Sequence, residues 1–477
     1  MFPFTIIAVI AWGALAFGAV YPWAFGPLLV ACAMVGTGAL VMYRHRPAPR
    51  SAVAVVVALL CVLGATALQL VPLPPGMLAT VSPSTDAFLR SFDLTYAVGG
   101  SQLPDGTIVQ QRWHPVSIDP HATWVAVGFI AAFTLFFAGL VRALSPERAR
   151  RLVVLIVGFG VVLALVGIVQ KALLGDHAFA GMKIYGIWAP ANLLSTPFGP
   201  YVNKNHFAGW MLMGVPLALC LGIGLAEGAI RRRGATLRTT VLWLSSPAGG
   251  HAQMALFAAF IMAASLLMTR SRSGVGCLLI AMVLMSVAAR RRFESARAGW
   301  AALGSLAALF LIVFTLAGAD LAARITNRMD AMELRRNIWT DSAVIIRDFP
   351  VTGTGLNTFG TAMIAYQTTQ KDQHFQEAHN DYLQVVVEGG LLVGLPVLAA
   401  ILLSVRAVRR RFAAGRDDAV TYWIRAGATT GIVAIALQAI VEFSLQMPGN
   451  AAFFVVLLAI ATHAAAFKVR THDGEVV

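Results

Sequence analysis

Charge is scarce in this sequence, and acidic charge is scarcest. Of 477 residues only 12% are charged, with 22 Asp and Glu against 36 Lys and Arg, while 58% are hydrophobic and the mean hydropathy is +0.74. Such a chain has too little polar surface to enclose its apolar side chains in one water-soluble core, which excludes an ordinary soluble domain. Cysteine is also sparse. Cys32, Cys61, Cys220 and Cys277 all fall in apolar runs, which argues against a disulfide framework or a cysteine metal centre. Walker loops, dinucleotide-type glycine fingerprints and inner-face Asp-x-Asp pairs are missing, so neither a nucleotide nor a nucleotide sugar is expected as substrate. The first apolar run lacks a basic leader and a second follows it directly, the pattern of an uncleaved span.

What is present in abundance is the long apolar run. Crossing about 30 Å of hydrocarbon takes a helix of roughly 20 residues. Runs of that size suggest spans at 3–22, 24–43, 52–71, 123–142, 152–170, 206–226, 252–268, 273–289, 299–318, 380–405, 422–442 and 449–467. The expected fold is an all-α integral membrane protein of about 12 transmembrane helices with a large extracytoplasmic loop domain. Orientation follows from the basic residues, which gather in alternate short loops, among them Arg44, Arg46 and Arg50, Arg148, Arg150 and Arg151, Arg231 to Arg233, Arg290 to Arg292, and Arg409 to Arg411. The positive-inside rule then places both termini in the cytoplasm. The net charge of +14 reads as anchoring to anionic membrane lipids, and no nucleic-acid partner is implied.

This topology puts three long connections outside, 72–122, 171–205 and 319–379. The chain divides accordingly into N-terminal helices with the first loop (1–122), central helices (123–318), the large loop with catalytic elements (319–379), and C-terminal helices with a cytoplasmic tail (380–477). Within the large loop, Glu333–Ile346 is expected to be helical. The same topology leaves Arg270 and Arg272 in a short outer hairpin, where arginine is uncommon. An outside ligand bearing phosphate explains them, and acidic lipid heads are the plainer alternative.

Four outer motifs occur in order: Gly199-Pro-Tyr-Val-Asn-Lys-Asn-His-Phe-Ala208; Thr269 to Gly274; Leu334-Arg-Arg-Asn-Ile-Trp339 with Asp348-Phe-Pro-Val-Thr-Gly-Thr-Gly355; and His379-Asn-Asp-Tyr-Leu-Gln-Val-Val-Val-Glu-Gly-Gly390. With Trp113 to Thr123 ahead of them, they resemble the O-antigen ligase and O-antigen polymerase superfamily of bacterial envelope glycosyltransferases over roughly 110–395. The resemblance implies a GT-C-like, metal-independent enzyme of the bacterial inner membrane, active on the periplasmic side and without a cofactor. Its donor would be a glycan on undecaprenyl diphosphate, and its acceptor either the lipid A core, for a ligase, or another lipid-linked glycan, for a polymerase. A twelve-span solute transporter is the minor alternative, though no repeat links the two halves.

The residues fit that chemistry. A diphosphate leaves readily once neutralised, and arginine supplies a fixed, permanently charged fork. Arg272 matches the family's Ser-Arg-Ser/Gly element and Arg335 the arginine four residues before tryptophan, so both are expected in a diphosphate clamp, with Arg270 and Arg336 as neighbours. An acceptor hydroxyl needs a base near neutral pH, a role for His379 at a helix start, unless that ring only bonds its loop. Asn203, Lys204, Asn205 and His206 are candidate ligands of sugar or diphosphate, with helix capping the alternative for Asn205. Asn380 is a substrate or capping candidate, and Trp339 stacks on a sugar or packs against the bundle. Glu388 lies nine residues past His379, about 13.5 Å deeper on nearly the opposite helix face. It is expected to tie its helix to another, with Gly389, Gly390 and Gly394 permitting close packing.

Overall fold

The computed structural model describes residues 2–102, 108–174, 183–190, 196–233, 237–289, 323–415 and 417–464. The expected span 299–318 lies outside these residues. In chain order the helices are α1 (Phe2–Leu15), α2 (Pro22–Met42), α3 (Arg50–Leu68), α4 (Pro75–Val81), α5 (Pro83–Phe92), α6 (Leu94–Ala97), α7 (Pro120–Ala143), α8 (Pro146–Leu174), α9 (Lys204–Arg233), α10 (Leu237–Leu244), α11 (Pro247–Met268), α12 (Arg272–Ala289), α13 (Ala323–Asp348), α14 (Phe359–Tyr366), α15 (Asp381–Ala413), α16 (Ala419–Gln438) and α17 (Pro448–Thr462). Among the described residues β-structure is confined to isolated bridges such as Leu73 with His114. Seven helices open on proline, whose fixed φ suits the first turn and whose missing N–H would have no partner there. Side chains cap others, as where Ser246 accepts from the Gly249 N–H and Asp418 from the Thr421 N–H.

The chain is an α-helical integral membrane protein. Nine described helices are long and apolar enough to cross a membrane, and α1 and α17 are shorter apolar helices. The first expected span, 3–22, is divided: α1 stops at Leu15, and Phe17, Gly18 and Ala19 turn left-handed, with φ of 60°, 73° and 58°, before α2. The eleventh is shifted toward the N-terminus, since α16 runs Ala419–Gln438 and Glu442 falls beyond it.

Two compact units divide the chain. The first comprises 1–53, 135–320 and 404–477. At its centre α9 packs along α11 and α16. Glycines on α16 allow that approach, because a Cβ at Gly427 or Gly431 would lie 2.8 Å from the carbonyl oxygens of Pro216 or Met213. Arg425 is wholly buried on α16, paired with Asp417 at 2.8 Å and donating to the Ala461 carbonyl.

The second unit comprises 54–134 and 321–403. Its core joins Ile338, Ile345 and Phe349 of α13 and the residue after it, Phe359 and Met363 of α14, Phe375 and Ala378 of the following loop, and Val387 of α15. The expected helix Glu333–Ile346 is present within the longer α13. The most irregular element is α15, which breaks at Gly390 (φ 53°, ψ −153°). Residues 350–355 fill the break. The N–H groups of Leu391 and Leu392 donate to the carbonyls of Pro350 and Val351, and those of Thr354 and Gly355 donate to Val387 and Glu388.

Candidate functional site

In the first unit the opening of α9 carries one polar cluster. Asn203 precedes the helix and its Oδ1 accepts from the Asn205 N–H at 2.9 Å, so Asn203 and not Asn205 makes the cap. Asn205 is thereby released to donate from Nδ2 to Glu442 Oε1 at 2.8 Å, while its carbonyl accepts from Gln438 Nε2 at 3.3 Å. His206 is buried, its ring edge-on to Phe443 with centroids 4.6 Å apart. Its carbonyl accepts from Asn450 Nδ2, whose amide oxygen in turn accepts from the Tyr201 hydroxyl. Lys204 is half-buried at the first position of the helix.

The hairpin between α11 and α12 belongs to the same unit. Thr269 and Ser271 are buried, and Arg270 and Arg272 are exposed. The buried pair fixes the turn: Thr269 Oγ1 accepts from the Ser271 N–H at 3.0 Å, and Ser271 Oγ from the Gly274 N–H at 3.3 Å. Arg270 has φ 57°, a left-handed conformation that L side chains adopt at a cost. Gly274 lies against α9, since a Cβ there would come within 2.9 Å of Ala208 Cβ. The first turn of α12 therefore packs on the first turns of α9 within one unit.

The second unit holds Arg335, Arg336, Trp339, His379 and Asn380. Arg335 and Trp339 stand four residues apart on α13 and so share a helix face; both are half-buried, whereas Arg336 is exposed. Trp339 Nε1 donates to the Ala378 carbonyl at 2.9 Å, which ties that face to the residue before His379. His379 itself is half-buried with φ 50°. Asn380 caps α15, its Oδ1 accepting from the Leu383 N–H at 3.0 Å.

Around His379 lie residues that sequence reasoning passed over. Glu377 is half-buried, and burial pushes its carboxyl above the ordinary range, against the pull of His379. Gln384, one turn into α15, accepts from the Ala378 N–H at 2.9 Å and donates to Glu388 Oε1 at 3.0 Å. The buried carboxylate of Glu388 also accepts the N–H groups of Asn357 and Phe359, at 2.8 and 3.0 Å. It thus ties α15 to the start of α14, whose first residue is Phe359, as expected of a link to another helix, and Gln69, just past α3, adds a bond to the Glu388 carbonyl. Of the glycines expected to permit close packing, Gly390 does so at a break in the helix, where a Cβ would lie 2.5 Å from the Gly353 nitrogen, whereas a Cβ at Gly394 would meet nothing within 4 Å. Gln384 stands five residues after His379 and one turn before Glu388, but an uncharged amide carries no signature of its own, so it was visible only as one letter of the 379–390 motif.

Residues 257–398 match the family model described as O-Antigen ligase. No curated protein matches the chain. The matched stretch runs from α11 into α15 and takes in Arg270, Arg272, Arg335, Arg336, Trp339, His379 and Asn380; the Asn203–His206 cluster precedes it. The resemblance to the O-antigen ligase superfamily is borne out over that stretch, and with it a general function of the O-antigen ligase or polymerase type.

Proposed function

We propose that this chain is a metal-independent membrane glycosyltransferase of the bacterial inner membrane. It moves a glycan from undecaprenyl diphosphate to an acceptor hydroxyl on the periplasmic face, as a ligase that attaches O-antigen to the lipid A core. The observation that carries the reading is the family match that runs through Arg272, Arg335 and His379 in order. The guanidinium groups of Arg272 and Arg335 neutralise the diphosphate as the bond between the anomeric carbon and the phosphate oxygen breaks. A ring nitrogen of His379 takes the acceptor proton as the acceptor oxygen bonds to the anomeric carbon from the opposite side, which inverts that centre. Asn203, Lys204, Asn205, Arg270, Arg336 and Asn380 supply further contacts to glycan or phosphate. The exposure of both hairpin arginines supports a role toward a lipid-borne anion.

The test is a gene deletion complemented with wild type or with Arg272→Ala, Arg335→Ala or His379→Ala, followed by gels of lipopolysaccharide and secreted polysaccharide. Each variant is expected to insert normally and to abolish transfer. Lipid A core lacking O-chain, with long polymer left on the carrier, identifies a ligase. Core capped by a single repeat, or loss of a secreted polymer, identifies a polymerase instead. A well-expressed Arg272→Ala protein with normal transfer would remove the clamp assignment, and a need for added divalent metal would contradict the scheme.

A further inference from the structure

His379 sits in a backbone conformation that it would not choose. Its φ of 50° lies in the left-handed region, where a residue with a Cβ is held only at a cost. Something must hold it there, and the contacts converge on the residue before it. Ala378 is fully buried, with both its polar backbone groups bonded to side chains. Its N–H donates to Gln384 Oε1 and its carbonyl accepts from Trp339 Nε1, both at 2.9 Å. On the other flank the Asn380 cap pins the start of α15.

The Gln384 amide has only one usable orientation. A carboxylate accepts and a backbone N–H donates, so the NH2 end must face Glu388 and the carbonyl end must face Ala378. Glu388 is in turn fixed by the N–H groups of Asn357 and Phe359, and Asn357 is itself left-handed at φ 66°. A chain of directed hydrogen bonds therefore runs from the loop at 357–359 through Glu388 and Gln384 to the peptide that precedes His379. Glu388 and Gln384 are both more than nine-tenths buried, so water does not compete for these bonds.

We propose that Gln384, oriented by Glu388, is a positioning residue that sets the backbone of His379 and so aims its ring at the acceptor hydroxyl. The inference rests on His379 acting as the base. Misplacing a reacting group by about 1 Å can cost on the order of 100-fold in rate, so the bond from Gln384 to Ala378 acts on turnover while donor binding is left to other residues.

The experiment uses the full-length protein in membranes, with the lipid-linked glycan that accumulates in the deletion strain as donor and that strain's lipid A core as acceptor. Gln384→Met keeps the volume and removes both hydrogen bonds. It is expected to lower the maximal rate about 10- to 100-fold with the donor KM within about threefold. Gln384→Glu should be as slow, because two carboxyl groups then face one another where an amide donated to a carboxylate. If Gln384→Met does not fold, Gln384→Glu decides the matter on the same two constants. A wild-type rate for the variant that folds, or a loss carried by the donor KM instead of the maximal rate, overturns the positioning role. Normal transfer by His379→Ala overturns the base assignment as well, whereas a dead His379→Ala beside a normal Gln384→Met overturns the positioning role alone.

Discussion

The two units solve the same problem in different ways. Each must hold polar groups firmly inside an apolar protein. The first does so with side chains that pair with one another, each pair joining a helix to chain outside it: Asn205 to Glu442, Asn450 to Tyr201, Arg425 to Asp417. The second does so by bending the main chain, with left-handed Asn357 and His379 and a helix broken at Gly390, and then spends side chains on backbone amides. The difference teaches where each unit is vulnerable. Side-chain pairs fail when one partner is removed, and bent backbone fails when a residue no longer fits the bend.

The widest separation should come from two glycines on α15. Gly390→Ala would place a Cβ 2.5 Å from the Gly353 nitrogen and the Val351 carbonyl oxygen in a left-handed conformation. It is expected to cost about 4 kcal/mol or more and to deplete folded protein. Gly394→Ala, four residues on with open space around it, should stay within about 1 kcal/mol of wild type. Folded yield and thermal midpoint in detergent measure both, and equal outcomes would erase the claim that the break is obligatory.

The next effect belongs to the first unit. Arg425→Met leaves Asp417 largely buried without its partner and is expected to destabilise by about 3–5 kcal/mol. Adding Asp417→Leu should return part of that, since two charges are then absent together. Failure of the second change to help would mean that the guanidinium's bonds to the Ala461 and His463 carbonyls matter more than the ion pair.

The smallest effect concerns Glu377. Its carboxyl is raised by burial, so the folded protein favours the protonated form. Stability from this group is present at low pH and is lost as pH rises through the ordinary carboxylate range toward the folded value. Glu377→Gln should therefore raise the unfolding temperature slightly at neutral pH and leave it unchanged below that range. A variant less stable at neutral pH would reverse the sign.

Much of the fold was legible because bilayer thickness and helix rise are fixed lengths. Runs such as 24–43 and 273–289 meet α2 and α12 almost residue for residue. Where the prediction slipped, local backbone overrode hydropathy: Phe17 to Ala19 are as apolar as their neighbours yet turn left-handed, and Gly390 sits within an apolar run yet breaks α15. Among the candidate residues, Arg272 and His379 stood out because charge and imidazole are rare in so apolar a chain. Asn205 was a candidate only through its motif and Gln384 was not one, because an amide's meaning lies in what faces it, and the partners of both are supplied by the fold.

The break in α15 makes one unit of inheritance from two distant stretches. Residues 350–355 supply the carbonyls and amides that Val387, Glu388, Leu391 and Leu392 would otherwise have within the helix, through four main-chain hydrogen bonds. In hydrocarbon such groups have no other partner. A chimera that takes 379–392 from one relative and 348–355 from another therefore mixes two halves of a single joint, and parents that recombine between them should yield fewer inserted offspring than parents that exchange both together.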